Sequence, residues 1–361
     1  MGAATLTGPA GRHTTDHLRG RRILVTGGSG TIGARLVDRL LREEPDVIRV
    51  FGRDETKQFY QRRRYPDEPR LRFLIGDVRD RDRLGRAIEG IDIVFHCAAL
   101  KHVESGEYNP FEATQTNVTG SQNVIDACLA ANVETMILTS SDKAANPTSV
   151  MGATKLLAEK LVSAATNYRG EHHTRFASVR FGNVLGSRGS AVELFARQAA
   201  SGGPITITDP AMSRFVMTPE RAVELMLRVA EIARGGEIFV LKMPAARLSD
   251  LVDGTIAHVA ATRGIDPAAL ERRSIAVRPG EKAYEELMTD DEARRAFDLG
   301  DMYAVLPSIG IRPELLQAYA QSATAATRSY RSDTLAPLPA AEVATLIEQA
   351  LRASEADGPI E

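Results

Sequence analysis

Lysine occurs only seven times in 361 residues, within a combined Lys and Arg total of 45. Three of the seven, Lys101, Lys143 and Lys155, lie where short apolar runs give way to polar segments. The first segment reads His96-Cys97-Ala98-Ala99-Leu100-Lys101-His102, and the second Ser140-Ser141-Asp142-Lys143. Met151-Gly152-Ala153-Thr154-Lys155 then opens a helical pattern. Open α/β sheets place their ligands at strand carboxyl ends. A gathering of scarce lysines at that edge argues against simple solvated charges. Asp142 and Lys143 form an adjacent acid and base, suited to proton transfer if their pKa values move in opposite senses, the acid up and the base down. A surface ion pair in a loop would read the same way. Ala98 and Ala99 would let a cofactor lie close to the backbone, though helix or core packing also favours alanine.

A second constellation lies upstream. The strand candidate Arg21–Thr26 runs into Gly27-Gly28-Ser29-Gly30-Thr31-Ile32-Gly33 and then an amphipathic helix. Strand, Gly-x-x-Gly-x-x-Gly and helix, in that order, predict a dinucleotide pyrophosphate held against glycine backbone and a helix N-terminus. At the end of the next strand, Phe51-Gly52-Arg53-Asp54-Glu55 bears on the choice of cofactor. Arg53 suits a ribose 2′-phosphate and points to NADP, while Asp54 keeps NAD possible. Asp77-Val78, after the third strand, is placed to meet the adenine.

These residues require a scaffold, and the pattern supplies one. Runs at 21–26, 47–51, 71–75, 91–95, 135–139 and 176–180 alternate with helical segments, which predicts a doubly wound parallel sheet of the Rossmann type. After about Leu185 glycines and prolines punctuate the chain and shorter elements follow, with a last helix expected from Ala340 to Leu351. The expected organisation is a flexible arm over 1–20 and a nucleotide domain over 21–185, with parts of 216–245 returning to it. Residues 186–215 and 246–352 form a smaller mixed α/β substrate domain with a C-terminal extension. Hydrophobic residues at 43% and charged residues at 25% exclude wholesale disorder. A net charge of −2 excludes a general nucleic-acid binder. No apolar stretch reaches the roughly 18–20 residues of a membrane span. Two cysteines, Cys97 and Cys128, make no disulfide framework, and buried thiols in a reducing cytoplasm are expected. The N-terminus has no secretory pattern, and no metal site is expected.

The chain resembles the extended short-chain dehydrogenase/reductases. More narrowly, it is similar to the bacterial UDP-N-acetylglucosamine 4,6-dehydratases of polysaccharide biosynthesis, including members that invert C5. The matching segments are Thr26–Gly33, Ala98–Val103, Glu107–Pro110, Asn117–Asn123, Ser141–Pro147, Gly152–Lys155, Arg180–Ser190, Met212–Phe215 and Arg278–Lys282. The similarity spans about Arg21 to Leu351. It implies C4 oxidation by tightly bound NADP, loss of the C5 proton with the 6-hydroxyl, and hydride return to C6. Asp142 is then the acid, Lys143 the base and Ser141 a ligand of the 4-hydroxyl. Lys155 would bind the nicotinamide ribose and lower the pKa of the group that deprotonates C4–OH. Asn117 would be structural or part of a proton relay. Lys101 and His102 could face cofactor and substrate, though a satisfied loop histidine would read the same way for His102; the resemblance further implies that Asn183 contacts the substrate phosphate or sugar, and that Arg214 and Arg278 hold the diphosphate. Glu281 would bind the uridine ribose.

One position departs from the superfamily. A tyrosine usually stands four residues before the active-site lysine, and here that residue is Met151. A thioether cannot take the proton of the 4-hydroxyl. Lys155, Asp142 or a water held by Ser141 must do so. Three rivals follow: the same dehydration with C5 inversion, a C4 epimerase, and a nucleotide-sensing protein without turnover. Residues 310–333 and the terminal helix resemble a part of the family that contributes subunit contacts, so a homo-oligomer is expected.

Overall fold

The computed structural model describes residues 16–187, 189–277 and 280–356. In chain order, β1 (Arg22–Thr26), α1 (Thr31–Leu41), β2 (Val47–Gly52), α2 (Glu55–Arg63), β3 (Leu71–Ile75), α3 (Arg81–Ile88) and β4 (Ile93–His96) come first. Then follow α4 (Val103–Tyr108), α5 (Pro110–Thr114), a π-helical turn (Gln115–Thr119), α6 (Gly120–Ala130), β5 (Thr135–Ser141), α7 (Val150–Tyr168) and β6 (Arg175–Phe181). The remainder comprises β7 (Asn183–Val184), α8 (Ala191–Ala200), β8 (Ile205–Ile207), β9 (Ser213–Met217), α9 (Pro219–Ile232), β10 (Ile238–Leu241), β11 (Ala245–Arg247) and α10 (Leu248–Arg263). It ends with β12 (Arg272–Ser274), β13 (Glu286–Met288), α11 (Asp290–Ala293), β14 (Ala296–Asp298), β15 (Met302–Val305), α12 (Pro313–Ser322), β16 (Thr324–Ala325), β17 (Tyr330–Arg331) and α13 (Ala340–Ala356).

Two compact units emerge. The first takes in the chain up to Phe181 together with Val223–Lys242 and Leu287–Ser329. Its ten-stranded sheet has the order β16-β14-β15-β10-β6-β5-β4-β1-β2-β3. Seven neighbouring strands, from β10 to β3, are parallel, and β15, β14 and β16 add antiparallel at one edge. This is the doubly wound α/β fold that the alternating runs predict. The central strands β1 and β4 are buried at Ile23–Val25 and throughout Ile93–His96, as both-face coverage by helices requires. One core layer gathers Leu24, Phe51, Leu84, Val94, Ile125, Met136, Val162 and Phe176. Each such side chain stabilises the fold by roughly 1.5–3 kcal/mol.

The second unit takes in Gly182–Ala222, Met243–Glu286 and Tyr330 onward. It carries the sheet β11-β9-β7 and the pair β12-β8. Its apolar clusters are built from α8 and α10 (Phe195, Leu248, Val252, Ile256) and from α13 (Val343, Ile347, Leu351).

Four expectations need correction. The sequence pattern places residues 287–329 in the substrate domain, but β14 and β15 extend the first unit's sheet, with Ile238 opposite Val305. Short isolated runs give no sign of the sheet they will join. The expected arm over 1–20 falls largely outside the described residues. Its last part is held, because Leu18 is fully buried and the Gly20 amide donates to the Glu44 carbonyl at 2.9 Å. Of the two cysteines, Cys128 is buried but Cys97 is only partly so. The run at 91–95 becomes a strand only from Ile93, and the Asp92 carboxylate accepts from the Arg22 amide at 2.8 Å.

Candidate active site

The glycine turn shows why its residue types matter. Gly27 has φ +66°, and a Cβ there would lie 2.8 Å from the Ala98 amide nitrogen. A Cβ on Gly33 would run into the backbone of Gly27 and Gly28. Only glycine permits this approach. Gly30 caps α1 with no side-chain hydrogen bond, so Thr31, Ile32 and Gly33 begin the helix with amides directed at the turn. A helix N-terminus beside a glycine cradle fits a pyrophosphate. Arg53 is largely exposed and stands 3.9 Å from Asp77. Asp54 instead caps α2, accepting from the Lys57 amide at 2.9 Å and pairing with its ammonium at 2.7 Å. Asp77 accepts from the Arg79 amide at 3.0 Å and from its guanidinium. Burial raises the Asp77 carboxyl, but these Arg79 bonds outweigh it and the net pKa lies below the ordinary value. Val78 is buried, and Asn123 donates to its carbonyl at 3.0 Å.

The carboxyl ends of β4 and β5 hold the chemical groups. Asp142 begins a 3₁₀ turn at the end of β5, with its side chain 4% exposed. Ser141 Oγ donates to Asp142 Oδ1 at 2.7 Å. Lys143 Nζ donates to both Asp142 oxygens, at 3.1 and 3.0 Å, and its side chain remains 31% exposed. Lys155 is buried in α7 and donates to the Thr139 carbonyl at 2.9 Å. Burial lowers its ammonium to about 8, with Cys97 and Glu159 pulling the other way. Burial pushes the Cys97 thiol up to about 12, so it is no nucleophile. Met151 is buried one turn before Lys155, and its Cβ lies 3.6 Å from the position a Gly106 side chain would take. The α7 N-terminus is fixed by Ser149, which accepts from the Gly152 amide at 3.2 Å, and by Glu107, which accepts from Val150 at 2.7 Å.

Asn117 lies in the π-helical turn, a feature common at functional sites. Its side chain brackets Leu100, accepting from the amide at 2.8 Å and donating to the carbonyl at 3.0 Å, and it also donates to Thr154 at 3.0 Å. Ala98 and Ala99 lie between β4 and this bracket. Lys101 and His102 are exposed, and His102 caps α4. Thus Ser141, Asp142, Lys143, Met151, Lys155 and Asn117 all belong to one edge of the first unit.

The second unit holds the remaining candidates. Arg214 on β9 lies 3.2 Å from Glu281, which also accepts from Thr208 at 3.2 Å, and 3.7 Å from Glu285. The amide nitrogen of Asn183 is committed to internal bonds. It donates to the Phe215 carbonyl at 3.0 Å and to both Glu285 oxygens at 2.8 Å, which ties β7 to β9. Glu285 also accepts from the Phe215 amide at 2.8 Å and organises this cluster. The sequence reading omitted it, and its separation from Asn183 by about a hundred positions left no local signal. Arg278 lies outside the described residues. Also missed was a buried trio in the first unit. Arg180 binds Glu159 at 3.0 and 2.6 Å and Glu292 at 2.9 and 3.0 Å. Burial opposes its charge, but the two carboxylates prevail and raise its pKa.

Known proteins bear on this arrangement. Residues 23–307 match the family model described as "Polysaccharide biosynthesis protein". The chain belongs to this family. A Methanocaldococcus jannaschii protein named "uncharacterized membrane protein" is 50% identical, covering 81% of this chain and 88% of its own. No helix among the described residues is long and apolar enough to cross a membrane. The inverting UDP-N-acetylglucosamine 4,6-dehydratase of Campylobacter jejuni is 41% identical, over 80% of this chain and 84% of its own. UDP-glucose 4-epimerases, such as that of Rickettsia canadensis, match at 39% over 79% and 82%. The X-ray structure of Pen from Bacillus thuringiensis superposes with a TM-score of 0.85 at 43% identity, covering 92% of this chain and 98% of that one. Family members of this type carry nucleotide-sugar dehydratase or epimerase chemistry.

Proposed function

We propose that the protein catalyses the NADP-dependent 4,6-dehydration of a UDP-hexose, with UDP-N-acetylglucosamine the favoured substrate. The observation that carries this reading is the Ser141–Asp142–Lys143 cluster. An acid and a base contact each other at a strand end, with a hydroxyl on the same carboxylate. A C4 epimerase has no use for an acid and base beside C5 and C6.

The glycine turn, Ala98, Ala99, Asn117 and Lys155 would hold the dinucleotide, with Asp77 and Val78 toward the adenine and Lys101 nearby. Arg53 would meet a 2′-phosphate. Asp54 supports that choice over NAD, because its carboxylate is engaged with Lys57. When bound, the cofactor supplies a reversible two-electron oxidation that turns C4–OH into a ketone and later reduces C6. The chain's own residues handle the protons. Ser141 orients the 4-hydroxyl. Lys155, with a pKa of about 8, exchanges a proton near neutral pH and is the favoured group for the role the absent tyrosine leaves at Met151. Once C4 is a ketone the C5 proton is acidic. With the Lys143 proton passed to Asp142 across their 3.0 Å contact, Lys143 takes the C5 proton while Asp142 protonates the departing 6-hydroxyl. Arg214 and Arg278 would hold the diphosphate, and Glu281 the ribose. His102 would face the sugar.

A second reading, inversion at C5, is favoured by the name of the Campylobacter jejuni relative. It requires a proton returned to the opposite face, for which Lys101 and His102 are the candidates. Proton NMR of the protein with UDP-N-acetylglucosamine and NADP+ in D2O tests both. A new 6-methyl signal with deuterium at C5 is expected, and the ring couplings give the C5 configuration. An unchanged spectrum with UDP-N-acetylglucosamine, UDP-glucose and UDP-N-acetylgalactosamine would overturn the proposal.

A further inference from the structure

His96 closes β4, is buried, and has no step in the reaction above. Both ring nitrogens are engaged: Nδ1 lies 2.6 Å from Thr26 Oγ1 and Nε2 3.1 Å from Ser121 Oγ. Hydroxyl counting fixes the protons. Ser121 Oγ lies 2.6 Å from the Asn117 carbonyl oxygen. A carbonyl only accepts, so the single hydroxyl proton of Ser121 is used there. Ser121 Oγ then accepts from the ring, and the proton of His96 is on Nε2. Nδ1 is left as an acceptor and takes the hydroxyl proton of Thr26, whose oxygen accepts from the Ala98 amide at 3.3 Å. The bonds run in one direction: from Ala98 to Thr26, to His96, to Ser121, to Asn117. An imidazolium would break that order by opposing Thr26 with a second donor. Burial, with Lys155 as the charge that bears on the ring, lowers the His96 pKa to about 3 and keeps it neutral.

Both ends of this chain of bonds lie at functional positions. Thr26 is the last residue of β1 before Gly27. Asn117 lies in the π-helical turn, brackets Leu100, and reaches Thr154 next to Lys155. Thr154 in turn donates to the Met151 carbonyl at 2.8 Å. We propose that His96, as its Nε2–H tautomer, is a positioning residue that acts through Ser121 to set Asn117, Leu100 and the first turns of α7 around Lys155. The proposal rests on the reading that Lys155 serves catalysis.

Two amides divide the ring's two bonds. In His96→Asn, Oδ1 takes the place of Nδ1 and keeps Thr26, but the Ser121 arm is lost. In His96→Gln, Nε2 takes the place of the ring Nε2 and keeps Ser121. The Asn variant and Ser121→Ala should each lose about tenfold in kcat, with the KM for the UDP-sugar unchanged, and should not add when combined. The Gln variant should stay within about threefold of the parent. Amide exchange at Leu100, whose N–H bonds Asn117, should quicken about tenfold in the Asn and Ala variants and not in Gln. Equal behaviour of Asn and Gln, additive losses, or a loss carried by the KM for the UDP-sugar rather than kcat would overturn the proposal. So would NMR of histidine-labelled protein showing an Nδ1–H tautomer or an imidazolium at pH 6. Exchange and NMR read His96 whether or not a UDP-sugar turns over, so failure of this inference and failure of the proposed function are distinguishable.

Discussion

Replacing Lys155 with Met should make the protein both inactive and more stable. Lys155 is 7% exposed, and burial takes its pKa from 10.5 to about 8. At 1.36 kcal/mol per unit, that shift corresponds to about 3 kcal/mol by which the fold disfavours a charged lysine at neutral pH. The substitution also removes the bond to the Thr139 carbonyl, worth about 1 kcal/mol. A net gain of about 1–2 kcal/mol at pH 7 remains. The sign follows from proton counting. The folded pKa lies below the unfolded one, so between pH 8 and 10.5 the unfolded chain binds a proton that the folded chain does not. Parent stability therefore rises with pH across that window, and the penalty is fully present below about pH 8. The advantage of the variant should be largest at pH 7 and should shrink toward pH 10. Urea unfolding of both proteins at the two pH values measures it, and taking the difference removes other titrating groups. A Met variant less stable than the parent at pH 7, or an advantage that persists unchanged at pH 10, would refute the burial argument.

The remaining predictions concern other parts of the site. Asp142→Asn keeps the shape of the Ser141 and Lys143 contacts but removes the acid, so kcat should fall by roughly 10²–10⁴; steady-state turnover near parental levels would exclude Asp142 from proton transfer. Arg53→Ala should weaken NADP about tenfold and leave NAD nearly unchanged, as titration calorimetry would show; equal effects on both would remove the case for a 2′-phosphate contact. Arg180→Met strands Glu159 and Glu292 in the interior and should cost about 3–5 kcal/mol in chemical denaturation. In the parent, Arg180 outweighs burial to hold Glu292 below its ordinary pKa, so this stability is present above the unfolded carboxyl pKa and is lost as pH falls through the folded one. A loss under 1 kcal/mol for Arg180→Met would count against the trio.

Much of the first unit was legible because local pattern and burial coincide there. The run at 71–75 is β3 residue for residue, and the Gly27–Gly33 spacing leads into a turn whose close contacts exclude a side chain. The parallel strands are covered on both faces, so a continuous apolar run is their signature. The antiparallel edge was not legible. Ala296–Asp298 and Met302–Val305 are three- and four-residue strands; the second joins the large sheet by pairing with Ile238–Leu241, some sixty positions upstream, and the first joins through the second.

The site shows the same division, for a physical reason. Asp142 and Lys143 are neighbours in sequence, so their pairing could be anticipated from the chain alone. The groups that hold the site in place pair across long separations. His96 meets Thr26 seventy positions away, Asn117 meets Thr154 at thirty-seven, and Arg180 meets Glu292 at one hundred and twelve. Asn117 is marked only by the family resemblance, and His96 and Glu292 show in the sequence only as polar residues near apolar runs, where a solvated side chain would look identical. Burial separates the two cases. A solvated polar group needs no particular partner, whereas a buried one is costly unless every donor and acceptor is matched. The matching in turn fixes the tautomer of His96 and the charge of Arg180. Positioning residues are therefore the part of such a site that sequence conceals most completely and that hydrogen-bond accounting recovers most directly.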